Sequence, residues 1–268
     1  MAQGKIKGLV VFCIILSCAY PVFAQKSKFD IGKELILKGM ELSNQGKVAE
    51  AELAYKQSLK ILEKEKGTEN PFVAVVLNNL AELYNSQRKY ALAAPMYERA
   101  LEILEKSSKP DHPTIITFIN NFARLNINQG KLSEAESLYQ RALKIREKAL
   151  GPDHLDVAIS LSDLAFLLLC QEKYNDAEPL YQRALKIREK SLGSDHPNFA
   201  QSLGNLAIVY YKQGRYADAE PLYQRALKIR EKILGPNHPD LAASLNNLAL
   251  LFEKQRKFAE AESLYQRV

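Results

Sequence analysis

Six tyrosines, Tyr55, Tyr97, Tyr139, Tyr181, Tyr223 and Tyr265, recur at a fixed spacing of 42 residues. The text around them repeats nearly verbatim: Ala177-Glu178-Pro179-Leu180-Tyr181-Gln182-Arg183-Ala184-Leu185 returns as Ala219-Glu220-Pro221-Leu222-Tyr223-Gln224-Arg225-Ala226-Leu227. A period of this length marks one supersecondary unit copied in tandem, each copy burying its apolar face only by stacking on its neighbours. With 47% hydrophobic and 25% charged residues, the composition alone would also have allowed one or two ordinary compact domains. The repeat narrows that choice to an extended array.

Each unit reads as two amphipathic helices. In the fifth, Phe199, Ala200, Leu203, Leu206, Ala207 and Tyr210 fall at three- and four-residue steps, and Ala219, Leu222, Tyr223, Ala226 and Leu227 do the same after the break at Gln213-Gly214-Arg215. Gly214 suits a left-handed helix ending. Small residues recur in paired register, Ala81 with Ala93, Ala123 with Ala135, Ala165 with Ala177, Ala207 with Ala219 and Ala249 with Ala261. Such pairs let two helices approach near the lower end of the roughly 8–10 Å interaxial range. The periodic Tyr is expected to fill the core between one hairpin and the next.

The pattern Leu-x-x-Leu-Ala-x-x-Tyr, followed by Gly-x-Tyr and the later Ala, Tyr and Ala, resembles the tetratricopeptide repeat, whose usual period is about 34 residues. The longer unit, with Leu150-Gly151-Pro152-Asp153-His154 and Asn246-Asn247-Leu248-Ala249, is similar to the repeats of kinesin light chains and their bacterial relatives. The resemblance covers residues 32 to 268 as six units. It implies an all-α fold, a right-handed α-solenoid of helix-turn-helix repeats, without strands. Departures occur at three places. Lys38 stands where later units have a large apolar residue, so the first unit is expected to be a cap with a more polar outer face. Asn126 replaces an aromatic residue or Leu at the end of a first helix, which predicts a looser contact. The sixth unit stops within its second helix, so Leu264 and Tyr265 are expected to lack cover.

His112, His154, His196 and His238 occupy the same place in successive linkers. Neighbouring units repeat at roughly 10 Å, whereas ligands of one ion must lie within about 2 Å of it, so these residues are read as helix-start caps and no metal site is expected. Asp153, Asp195 and Asn237 can supply oxygens to the same helix starts. No phosphate loop, His-Glu-x-x-His or Gly-x-Ser-x-Gly motif occurs, so neither a catalytic site nor a cofactor is expected. Cys170, beside Leu167-Leu168-Leu169, is expected to be buried or half-buried and inert. The formal charge of +6 includes Lys5 and Lys7. Mixed-sign runs such as Lys144-Ile145-Arg146-Glu147-Lys148 read as a solvated outer face rather than a nucleic-acid site.

Residues 1–24 read as a signal peptide, with Lys5 and Lys7 before an apolar run and Val22-Phe23-Ala24 at its end. Cleavage there would begin the mature chain at Gln25, with residues 25–31 as a short linker, and place it in the periplasm or outside the cell. Ile15-Leu16-Ser17-Cys18 also resembles a lipoprotein site, in which case Cys18 would tether the body to a membrane.

The resemblance implies that first helices line a concave groove, in which one Asn per unit reaches the main chain of a bound peptide. The matching residues are Asn79, Asn121, Asp163, Asn205 and Asn247. Groove positions turn apolar along the chain, from Glu82, Asn85, Ser86, Arg124, Ile127 and Asn128 to Phe166, Leu169 and Cys170, then Ile208, Tyr211 and Leu250. An apolar patch of this kind marks an interaction surface, and Lys212 and Lys254 favour acidic residues nearby. The expected function is therefore a non-enzymatic scaffold for a protein or peptide partner. The alternative is a targeting or regulatory portion of a larger enzyme or signalling protein.

Overall fold

The computed structural model describes residues 26–107, 114–235 and 238–268. These form twelve α-helices and, among the described residues, no strand: α1 (Lys28–Asn44), α2 (Val48–Lys66), α3 (Pro71–Ser86), α4 (Tyr90–Ser107), α5 (Ile115–Asn128), α6 (Leu132–Leu150), α7 (Leu155–Cys170), α8 (Tyr174–Leu192), α9 (Pro197–Lys212), α10 (Tyr216–Ile233), α11 (Pro239–Lys254) and α12 (Phe258–Tyr265). The all-α repeat architecture read from the sequence is the one observed. The chain divides after Val76 into two compact units. The segment expected as a linker is helical from Lys28, because the Ser27 hydroxyl accepts the Asp30 amide and starts α1 there. The signal-peptide reading, Cys13, Cys18, His112 and Asn237 all fall outside the described residues.

In the first unit α1 packs on α2, with Ile36, Leu42, Ala51, Ala54, Tyr55 and Leu62 inside. Lys38 is exposed, as expected at a cap. The face is not polar, however, since Leu37 (66%), Met40 (45%) and Leu53 (58%) are also exposed.

In the second unit each helix from α4 onward packs against its neighbours in sequence. The helix turns obey one rule. Gly46, Gly130 and Gly214 have φ of 73°, 75° and 76°, and at the same repeat position Arg88, Glu172 and Arg256 adopt 59°, 60° and 61°. The hairpin thus demands one left-handed residue, which costs a side-chain-bearing residue about 1 kcal/mol that glycine avoids. Ala123, Ala135, Ala165, Ala177, Ala207 and Ala219 are all fully buried. One core cluster gathers Tyr139 and Tyr181 with Leu164, Leu168, Leu206 and Val209, bridging three successive hairpins. Asn126 sits buried where Leu168 would stand one unit later. Leu264 is also buried (9%), within the cluster around Tyr223 and Phe252, so only Tyr265 of the expected uncovered pair is exposed.

Between units, His154, His196 and His238 precede their helices in extended conformation, and each Nδ1 accepts the amide two residues on, at 3.1 Å. The histidine ring itself is therefore the cap. Asp153 and Asp195 do not cap but meet Lys190 at 3.2 Å and Lys232 at 2.5 Å. Two further series of ion pairs link successive second helices with the same period: Arg141–Glu105, Arg183–Glu147 and Arg225–Glu189 at 2.7, 2.5 and 3.1 Å, and Lys173–Glu136, Arg215–Glu178 and Lys257–Glu220 at 2.8, 2.9 and 2.8 Å. The first series is at least about a third exposed on both sides, while in the second an exposed cation meets a carboxylate only about a fifth exposed; pairs this open to solvent contribute about 1 kcal/mol or less, and their repetition favours one register of hairpin on hairpin.

Candidate functional site

The first helices α5, α7, α9 and α11, with α3 from Leu77 onward, carry the ladder Asn79, Asn121, Asp163, Asn205 and Asn247, all of them partly exposed. Its members differ in what they bond. Asn121 donates to Asn78 Oδ1 at 3.1 Å and accepts from Arg124 at 3.3 Å; Asn79 accepts from Asn78 at 3.4 Å. Around them, Arg124 and Glu82 pair at 2.7 Å, Tyr97 donates to Glu82 at 2.7 Å, and Asn128 donates to Asn85 at 3.0 Å. The polar part of the face is thus largely committed to itself, except for the Asn79 amide nitrogen, which is buried without a partner. Among the described residues, the side chains of Asp163, Asn205 and Asn247 make no hydrogen bond or ion pair. The sequence reading did not include Asn78, which bonds two of the five ladder residues, Asn79 and Asn121.

The apolar half of the face is only partly open. Phe166 is 58% and Leu250 38% exposed, whereas Leu169, Ile208 and Tyr211 are half-buried against the core clusters. Tyr211 also packs on Tyr216, with ring centroids 5.6 Å apart. Hairpin packing therefore takes up part of the expected continuous patch. Lys212 and Lys254 are exposed. So is Cys170, contrary to the expectation of burial or half-burial: it lies one helical turn after Phe166 on the open side, out of phase with the buried Leu164 and Leu168.

Between α7 and α9 this face deepens into a cleft of about 480 Å³. Ile159, Asp163 and Phe166 line it from α7, Gln201 and Asn205 from α9, and its floor is Tyr181 and Arg188 of α8. Arg188 is 8% exposed; it donates to Ser202 Oγ at 2.5 Å and to the Ala158 carbonyl at 3.4 Å. Arg146 and Arg230 likewise donate to Ser160 at 2.8 Å and Ser244 at 2.5 Å. These arginines are not the solvated outer charges that the mixed-sign runs suggested. A signal was present: aligned by the period, they fall in the column of the buried Leu62 and Leu104.

Burial pushes the Asp163 carboxyl above its ordinary value of 3.8, against the pull of Arg146 and Arg188. Burial also lowers the Arg188 guanidinium, and Asp163 opposes that shift. The folded state therefore takes up the Asp163 proton more readily than the unfolded chain, so stability falls as pH rises from the unfolded value through the folded one. Asp163→Asn is accordingly expected to melt at a modestly higher temperature than the parent at about pH 7, the difference vanishing at about pH 3, where both states hold the proton. Thermal denaturation at the two pH values checks this, and a lower melting temperature for the variant at neutral pH would contradict it.

Among the described residues, no three His, Cys, Asp or Glu side chains gather as a metal site, and no helix is long and apolar enough to cross a membrane.

The sequence profile of the tetratricopeptide repeat family matches residues 37–106, 114–190, 157–232 and 198–268. The chain belongs to the tetratricopeptide repeat family. Among solved structures, it is similar to a putative kinesin light chain with nearly identical repeats from Podospora anserina, at 26% identity and TM-score 0.65 over 74% of this chain and 94% of that one. It is also similar in fold to BtubC (BKLC) from P. vanneervenii, at 21% identity and TM-score 0.67 over 88% and 89% of the two chains. No curated protein sequence matched the chain. Tetratricopeptide repeat proteins generally mediate protein–protein interactions and are typically non-enzymatic scaffolds.

Proposed function

We propose that this protein is a non-enzymatic scaffold that holds a peptide segment of a partner protein on the first-helix face, centred on α7, α9 and α11. The observation that carries the reading is the contrast along one ladder. Asn121 is bonded within the protein and Asn79 accepts from Asn78 while its own amide nitrogen is buried without a partner, whereas Asp163, Asn205 and Asn247 are unbonded and partly exposed beside the exposed Phe166 and Leu250. The unbonded amides of Asn205 and Asn247 offer both a donor and an acceptor to an extended main chain, the Asp163 carboxylate offers acceptors, and exposed apolar side chains supply anchors. Lys212 and Lys254 draw acidic residues of the partner to the same region.

Pull-down would identify a partner, whose affinity is then compared for the parent and for Phe166→Ala combined with Leu250→Ala. Both side chains are exposed, so truncation leaves the fold intact. Loss of the two anchors is expected to weaken binding by at least about 2 kcal/mol, or roughly thirtyfold. Unchanged affinity in the folded double variant would exclude this face.

The reading includes export, with residues 1–24 removed and the scaffold working in the periplasm or outside the cell, or tethered through a lipidated Cys18. Mass spectrometry of the protein recovered from its native cells is expected to show a chain beginning at Gln25, or at a lipid-modified Cys18. A recovered chain retaining residues 1–17 would refute export by this route.

A further inference from the structure

The cleft between α7 and α9 contains an unusual electrostatic arrangement. Asp163 is partly exposed, its carboxylate makes no hydrogen bond or ion pair among the described residues, and it faces a cleft floored by Arg188. Arg188 is 92% buried by its 8% exposure, yet it too has no carboxylate in ion-pair contact. Its two bonds, to Ser202 and Ala158, leave other N–H groups of a five-donor fork. Gln201 and Asn205 on the opposite wall are also unbonded. These groups face one cleft that solvent reaches, so a ligand group that bridges the Asp163 carboxylate and the spare N–H groups of Arg188 would bond to both at once.

The charges decide which ligand. An ammonium or guanidinium would satisfy Asp163 but lie in the field of both Arg188 and Arg146. A carboxylate would satisfy Arg188 but lie against Asp163. A neutral group with a donor at one end and an acceptor at the other satisfies both without adding charge, and a carboxamide has that form. The depth of the site favours a side chain over a main-chain amide. Asn205 on the rim is placed to hold a main chain, while Arg188 belongs to the second-helix layer beneath it.

We infer that the cleft between α7 and α9 is a specificity pocket for a Gln or Asn side chain of the bound peptide, its amide donating to Asp163 and its carbonyl accepting from Arg188. The apolar neighbours Phe166 and Ile159 cover the aliphatic stem of that side chain. The inference rests on the peptide-scaffold reading above, and the two fail in different ways.

The probe is an array of acetylated peptides, each with one phenylalanine beside a single position varied through all residue types on an alanine background, incubated with the full chain. Peptides with Gln or Asn at the variable position are expected to be retained about tenfold more strongly than those with Glu or Lys, as expected when one buried partner is left unsatisfied. Asp163→Asn removes the charge that repels a carboxylate and is expected to invert the order, so that Glu, now paired with Arg188, exceeds Gln. Circular dichroism of the variant confirms its fold. If the parent retains all residue types equally, or prefers Glu or Lys, while Phe166→Ala still weakens retention, the pocket assignment is wrong and the peptide scaffold stands. The same holds if Asp163→Asn keeps the parent's order. If no peptide is retained by either protein, both the pocket and the groove reading fall.

Discussion

Replacing Tyr181 by alanine is expected to destabilise the second unit by about 3–5 kcal/mol, the range for emptying a large aromatic site in a packed core. Tyr181 is 1% exposed and belongs to a cluster that takes Ala123 from α5, Ala135 and Tyr139 from α6, Leu164 and Leu168 from α7, and Leu206 and Val209 from α9. Its ring therefore joins three hairpins, and the cavity left by alanine lies where no single helix can close it. In an array whose stability is the sum of unit and interface contributions, the loss falls on two interfaces at once. Tyr181→Phe is the control. The phenol makes no hydrogen bond among the described residues and lines the cleft, so its removal orphans no partner and is expected to be near neutral. Urea unfolding followed by circular dichroism measures both. A cost below about 1 kcal/mol for Tyr181→Ala would mean that the recurring tyrosine is not the inter-hairpin core.

Ala207→Leu is expected to cost about 3 kcal/mol, at the upper end for overpacking, although it adds only apolar surface. Ala207 and Ala219 are both fully buried and stand in register on α9 and α10, where no space remains for a longer side chain. The same repeat position in the first unit shows how tight the contact is. Gly39 stands there, and a Cβ on it would lie 2.5 Å from Cε1 of the buried Tyr55 ring. The penalty in Ala207→Leu is met by separating α9 from α10, so hydrogen exchange in these two helices should accelerate more than in α5 and α6. Uniform acceleration through the second unit, or a melting temperature equal to the parent's, would contradict the close-approach argument.

These two sites were legible in the sequence because each depends on a rule that operates within the chain. Tyrosines and alanines recur every 42 residues, and three- and four-residue steps place them on a helix face whatever that face meets. The same holds for Gly214 at the hairpin turn and for His196 at the helix start, since a left-handed residue and a cap act over a few bonds. Membership of the repeat family and its all-α fold follow from this local information alone.

What only the tertiary structure decided is which polar side chains find a partner across the stack. Asn121 and Asn78 meet at 3.1 Å, and Asn128 and Asn85 at 3.0 Å, although each pair is 43 residues apart in the chain. Those distances arise from the stacking of one hairpin on the next, and no periodicity separates a bonded asparagine from a free one. The arginines are the sharpest case. Arg146, Arg188 and Arg230 share a column with Leu62 and Leu104, and fourteen residues on Ser160, Ser202 and Ser244 share one with Val76 and Phe118. The two columns change together, from apolar with apolar to arginine with serine, because a charge carried inward needs an oxygen to receive its N–H group. The sequence by itself determined the hairpin, its turn and its core; the stacked structure decided that Asp163, Asn205 and Asn247 remain unbonded, because hydrogen bonds depend on separations of a few tenths of an ångström that only packing sets.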